Sequence, residues 1–206
     1  MSDLIRNLYW APWDEPGLEH LHLKVSADGA EALGLILRMR GKQHFRCRYE
    51  LQTDPGWRVR HLSFAVMPAG GDGPPGSQVG SRVELESDGQ GNWRVDGEPS
   101  AELEGCLDLD IQLTPFTNSL PIRRLGLEPE ESAQLRVAYL ALPELVPQAV
   151  EQRYTCLAPP DKKAGGKNGG RYRYEGLFRD FTAELPVDGD GLVMDYPETF
   201  RRVWPT

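Results

Sequence analysis

Strict alternation of apolar and polar residues is the feature that most limits what this chain can become. In "HFRCRYELQ", Phe45, Cys47, Tyr49 and Leu51 fall on one side, and His44, Arg46, Arg48, Glu50 and Gln52 on the other. The same period of two runs through "LHLKV" (Leu21, Leu23, Val25), "RVELES" (Val83, Leu85), "LDLDIQLT" (Leu107, Leu109, Ile111, Leu113) and "DFTAELPV" (Phe181, Ala183, Leu185, Val187). Successive side chains of a strand point to opposite faces, so this pattern predicts half-buried antiparallel strands. Asp28-Gly29, Asp54-Pro55-Gly56, Asp88-Gly89, Asp96-Gly97, Asp188-Gly189 and Asp190-Gly191 punctuate them as tight turns. About a dozen strands result, too many for one flat sheet, which must curl into a barrel or roll or split into a sandwich. The expectation is an all-β chain folded as a strongly curved antiparallel β-roll or half-open barrel. A short C-terminal helix is predicted for "PETFRRVW", from Pro197, with proline in the first turn. Residues 1–206 read as a single β-roll domain. The Gly-rich stretches 68–81 and 159–171 read as mobile loops, because the strand pattern resumes after each.

Charge narrows the partners. A formal net charge of −8 over 206 residues argues against a general polyanion binder, so nucleic acid is excluded as an expected partner. The charge is unevenly spread: seven basic and two acidic residues lie between Arg38 and Arg60, against two basic and nine acidic between Arg82 and Asp110. No apolar run reaches the roughly 18–20 residues of a membrane-spanning helix, so no transmembrane segment is expected and peripheral membrane contact stays open. The first residues lack the basic, apolar and cleavage regions of a secretory signal. Cys47, Cys106 and Cys156 are widely spaced and odd in number, as expected of reduced thiols in a cytoplasmic protein.

Catalytic and metal chemistry is thinly represented. His20 and His22 share a strand face, a spacing metal ligands use, but Ser26 and Ala27 stand where a carboxylate would complete the set. His44 and His61 accompany no nucleophile motif, no Gly-x-Ser-x-Gly elbow exists, and "GGKNGG" around Lys167 lacks the spacing of a phosphate loop. "DGDGLVMD", from Asp188 to Asp195, lacks the closing glutamate of a calcium loop and reads as a hairpin turn. Neither metal nor cofactor is expected. Glu19 is the one weak catalytic candidate: it is in phase with Leu21, Leu23 and Val25, so a strand starting early points its carboxylate inward. A strand starting at Leu21 leaves it solvated.

Aromatic residues point to a cavity. Tyr154, Tyr172, Tyr174, Phe178 and Phe181 follow earlier tryptophans, and tyrosines supply apolar walls with polar tips. The run "TPFTNSLPIRR", Thr114 to Arg124, has two readings. Its hydroxyls and Asn118 can satisfy their own backbone in a turn held by Pro115 and Pro121. Alternatively Thr114, Phe116, Thr117, Asn118 and Arg123 form a rim that reads a polar headgroup.

At "DIQLTPFTNSLPIRRL" the chain resembles the bacterial proteins called putative glycolipid-binding proteins. The resemblance continues through "YWAPWDEPGLEHLHL", "VAYLALPELVPQAVEQRYT" and "RYRYEGLFRDFTAELPVDGDGLVMDYPETFRRV". It implies a spiral β-roll, one curved antiparallel sheet shaped like the lipoprotein carriers of the bacterial envelope, with a glycolipid or other amphipathic small molecule as partner. The ligand-binding set expected is Thr114, Phe116, Thr117, Asn118, Arg123, Tyr154, Tyr172 and Tyr174, with acyl chains inside and the headgroup at a polar mouth. Two rivals stand beside this binder: an enzyme acting on a glycolipid in the same cavity, and a ligand-free scaffold whose roll is filled by its own side chains.

Overall fold

The computed structural model describes residues 3–67, 80–142, 144–160 and 169–205, so the two stretches expected as mobile loops lie, apart from their flanks, outside the described residues. The chain is all-β, and its strands divide between two sheets rather than forming one. The larger begins as an antiparallel meander of β1 (Leu4–Pro12), β2 (Gly17–Ser26), β3 (Gly29–Arg40), β4 (Gln43–Thr53) and β5 (Val59–Met67). It continues through β6 (Arg82–Ser87), β7 (Trp93–Val95) and β8 (Glu98–Ser100). The smaller sheet holds β9 (Asp108–Ile111), β10 (Ser132–Leu140), β11 (Pro147–Ala158), β12 (Gly170–Gly176) and β13 (Phe181–Val187), in the order β13-β12-β11-β10-β9. Last come β14 (Asp195–Tyr196) and β15 (Phe200–Trp204), which return to the free edge of β1 and bring the strongly curled large sheet to ten strands.

Alternation does what the sequence predicts in β4, where Cys47, Tyr49 and Leu51 are fully buried between exposed Arg46, Arg48 and Glu50. The inward faces of both sheets meet in one core. Trp10, Leu21, Ile36, Phe64 and Leu85 of the large sheet pack with Leu109, Ile111 and Leu140 of the small one. Cys47, Cys106 and Cys156 are buried and unpaired.

The position of the helix corrects the sequence reading. Residues from Pro197 form no helix: Glu198 sits at φ 62°, a left-handed turn conformation, and Phe200–Trp204 is a strand. Phe200 is buried and pairs with Pro12, and Trp204 pairs with Tyr9, covering an edge of β1 that would otherwise expose its backbone. The helix lies instead at α1 (Ser119–Leu125), preceded by a 3₁₀ turn over Phe116–Asn118. Strands β9 and β10 are parallel, and a parallel pair needs a crossover, which this segment supplies. Pro121 is tolerated because it falls in the first turn, where its missing N–H has no helical acceptor. Gly126 ends the helix at φ 56°, and Arg123 and Arg124 sit in the last turn beside its negative dipole end.

One glycine is sterically required. Gly34 of β3 pairs with Tyr49 of β4, whose ring occupies the space beside it, so that a Cβ there would stand 1.9 Å from Tyr49 Cε1. Gly34→Ala should therefore destabilise the protein by about 1–3 kcal/mol through overpacking. Urea unfolding checks this, and an unchanged midpoint would show that the Tyr49 ring is not confined.

Candidate functional site

Residues of both sheets line one cavity. The β1–β2 connection, the β3–β4 hairpin and the β12–β13 turn surround this half-open space of about 510 Å³. Its apolar wall includes Phe45, Ile111, Leu113, Leu142, Phe181 and Phe200. Tyr174 and Tyr196 continue the wall, with ring centroids 5.9 Å apart in an edge-on arrangement. Asp14, Glu15, Arg38, Asp110 and Arg179 are its charged lining.

The polar lining comes mainly from the run after β9. In "LDLDIQLT" Asp108 and Asp110 alternate with Leu109 and Ile111, a pattern that reads as half-buried, yet Asp108 is buried as well and Asp110 half-buried. Asp108 is completely buried and paired with Arg124 through two contacts of 3.0 and 2.6 Å. Burial pushes its carboxyl upward, and Arg124 opposes that shift. Asp110 lines the cavity. Gln152 Nε2 donates to it at 2.7 Å and Thr117 Oγ1 at 3.3 Å, yet burial still raises its carboxyl above the usual range. The network continues as Asn118 Nδ2 donates to Tyr154 OH at 2.9 Å, and Tyr154 OH donates to Gln152 Oε1 at 3.4 Å.

The predicted site residues separate into groups. Thr114, Asn118 and Tyr174 line the cavity. Phe116 is fully buried in the main core, and Thr117 accepts from the Ile111 amide, so both stand behind the lining. Tyr154 supports Asn118 from below, while Tyr172 packs with Cys156 in the core of the small sheet. Arg123 points elsewhere: its guanidinium lies 4.0 Å from the Trp57 ring centroid and donates to the Asp190 carbonyl. Asp188 accepts from the amides of Asp190 and Leu192 and from Arg202, so the "DGDG" run is a self-satisfied turn. His20 and His22 share Asn7 Oδ1 as partner, at 3.3 and 2.9 Å, on the outer face. Among the described residues no cluster of three potential metal ligands occurs.

Asp110, Arg38, Arg179 and Tyr196 were not singled out from the sequence. The one available signal was the Asp-x-Asp alternation directly before the Thr114–Arg124 run.

Glu19 is buried, with 2 % exposure, which decides between its two sequence readings. Tyr49 OH and Thr114 Oγ1 each donate to its Oε1 at 2.7 Å, while Oε2 is buried without a partner. It stands one residue behind the cavity, since Thr114 forms the lining there.

Residues 7–202 match the family model described as "Putative glycolipid-binding". The chain belongs to that family. It is also similar to a DUF1089 family protein of Pseudomonas aeruginosa, known from a crystal structure, at 35% identity and a TM-score of 0.72, over 90% of this chain and 92% of that one. None of the curated proteins matches the chain. No helix among the described residues is long and apolar enough to cross a membrane.

Glu19 makes stability depend on pH. Burial raises its pKa from 4.5 to about 7, against the two hydroxyl donors that favour the anion. The folded state thus holds a proton that the unfolded chain has released. The stabilising effect is complete below pH 4.5 and lost as pH rises to about 7. The loss is on the order of 3 kcal/mol. Denaturant unfolding of wild type and Glu19→Gln between pH 4.5 and 8 should show the variant gaining on wild type across that window; parallel profiles would remove Glu19 as the cause.

Proposed function

We propose that the protein is a non-catalytic, cytoplasmic binder of an amphipathic small molecule of the glycolipid class, acting as one binding unit and holding its ligand in the cavity between the sheets. The observation that carries this reading is the cavity itself, whose volume of about 510 Å³ stands among aromatic rings and hydrogen-bonding groups. That volume suits a small ligand, since binding pockets run from roughly 300 to 1,000 Å³. Asn118 is 2 % exposed, and with its Nδ2 bonded to Tyr154 its carbonyl is left to accept from a sugar hydroxyl. Tyr174 and Phe181 supply ring faces against which a sugar or the first methylenes of a tail can lie. The gain comes from burial: at about 0.8 kcal/mol per methylene, an octyl chain contributes about 6 kcal/mol before ordering costs are deducted.

A catalytic reading would rest on Glu19. Its carboxyl is sequestered by Tyr49 and Thr114 and is not in the cavity lining, which favours a binder.

Isothermal titration with octyl glucoside, kept below its micellar concentration, tests the proposal. Wild type should bind saturably, and Asn118→Ala should bind about tenfold more weakly, as loss of a net 1.4 kcal/mol requires. The same variant should lose about 1 kcal/mol of stability through the Tyr154 bond. Absence of saturable binding to the wild type would sink the reading, and unchanged affinity in Asn118→Ala would take Asn118 out of the site.

A further inference from the structure

Two arginines line the cavity with hydrogen-bonding capacity left over. Arg38, on β3, directs Nη2 to both oxygens of Asp14, at 2.9 and 3.2 Å, and its side chain is only 12% exposed. Its Nη1 is buried and has no partner. The guanidinium also lies 5.2 Å from the centroid of Phe200, another lining residue. Arg179, in the β12–β13 turn, lies against two aromatic rings, 4.4 Å from the Tyr139 centroid and 4.5 Å from that of Phe178. Both rings line the cavity too, and no side-chain N–H of Arg179 has a hydrogen-bond acceptor among the described residues.

The cavity's carboxylates do not use up this capacity. Asp14 is engaged by Arg38, Glu15 Oε1 accepts from the Gly41 amide, and Asp110 is held by Gln152 and Thr117. The charge of Arg179 acts on Asp110 without any contact between them. A ring face supports a guanidinium plane but leaves its in-plane N–H groups free. A buried N–H without an acceptor, such as Arg38 Nη1, is unfavourable, and a ligand oxygen placed there removes that cost.

We infer that the amphiphile bound in this cavity is anionic, carrying a phosphate or carboxylate that Arg38 and Arg179 grip at the rim. This rests on the cavity reading above and adds the charge class of the headgroup. Guanidinium donors meet such groups with two parallel, charge-assisted bonds, stronger than the neutral ones a sugar hydroxyl makes. Arg38 keeps its Asp14 pair and offers Nη1, while Arg179 offers all its donors.

The test is isothermal titration of the full chain with octyl phosphate, octyl glucoside and inorganic phosphate, all below micellar concentration, repeated with Arg179→Met and Arg179→Lys. Methionine keeps an apolar stem on the two rings, and position 179 is an exposed turn, so folding is preserved. Octyl phosphate should bind wild type about tenfold tighter than octyl glucoside. Arg179→Met should lose that advantage, with octyl phosphate weakened far more than octyl glucoside, and Arg179→Lys should recover part of it. Inorganic phosphate should bind more weakly than octyl phosphate and compete with it. Equal affinity for the two octyl ligands, or an equal loss of both in Arg179→Met, overturns the anionic headgroup and leaves the amphiphile reading standing. Inorganic phosphate binding as tightly as octyl phosphate assigns the arginines to a free anion and overturns the lipid part. If neither octyl ligand binds, the cavity reading fails together with the inference built on it.

Discussion

Everything near the cavity depends on keeping one polar stretch of chain satisfied indoors. Between Asp108 and Arg124 the backbone leaves β9, turns through the 3₁₀ segment and runs into α1, carrying carboxylates, hydroxyls and an amide away from water. Each would cost several kcal/mol if stranded. Asp108 is met by Arg124 from the same stretch, sixteen positions on. Thr114 and Thr117 receive the amides of Phe116 and Ile111, and Ser119 receives that of Val193. Thr114 also donates to Glu19 of β2, which ties this stretch to the large sheet by a hydrogen bond as well as by the shared apolar core.

The cavity exists because this stretch cannot fill the space beside it. The Thr114 hydroxyl and the Asn118 amide are held by Glu19 and Tyr154 rather than extending into that space, and the aromatic rings opposite are anchored to one another. Tyr174 contacts Tyr154, Phe181 and Tyr196, with centroid distances from 5.3 to 6.3 Å. Rigid rings and engaged polar groups leave a hollow with shape and with donors and acceptors already placed. Such preorganisation lowers the ordering cost of binding. Glu19 belongs to the support of this wall: through Thr114 and Tyr49 it ties the lining to β4 of the large sheet.

The curled all-β architecture was legible in the sequence because alternation and turn residues act locally, and the family was legible from its resemblance around the Thr114–Arg124 run. A strand that hides one face must alternate, and Asp-Gly supplies its turn whatever the rest of the chain does. Pairing between distant segments was not legible. The run from Pro197 has helical spacing by itself, and it is a strand because the edge of β1 lies beside it. The prolines around Asn118 look like the borders of a turn, and they accommodate a helix because a parallel β9–β10 pair needs a crossover there.

From residues alone, then, came the all-β class, the curl and the family, while the burial of Glu19 was settled by the tertiary structure. Only the tertiary structure separated the Thr114–Arg124 run into lining, scaffold and a distant Arg123, and brought Arg38, Asp110 and Arg179 around one space. The physical reason is that alternation reports which face of a strand is apolar, not what lies opposite the polar one. In β4 the polar face meets water, while in β9 it meets Arg124 of the crossover helix and Gln152 of β11, and the two patterns read alike.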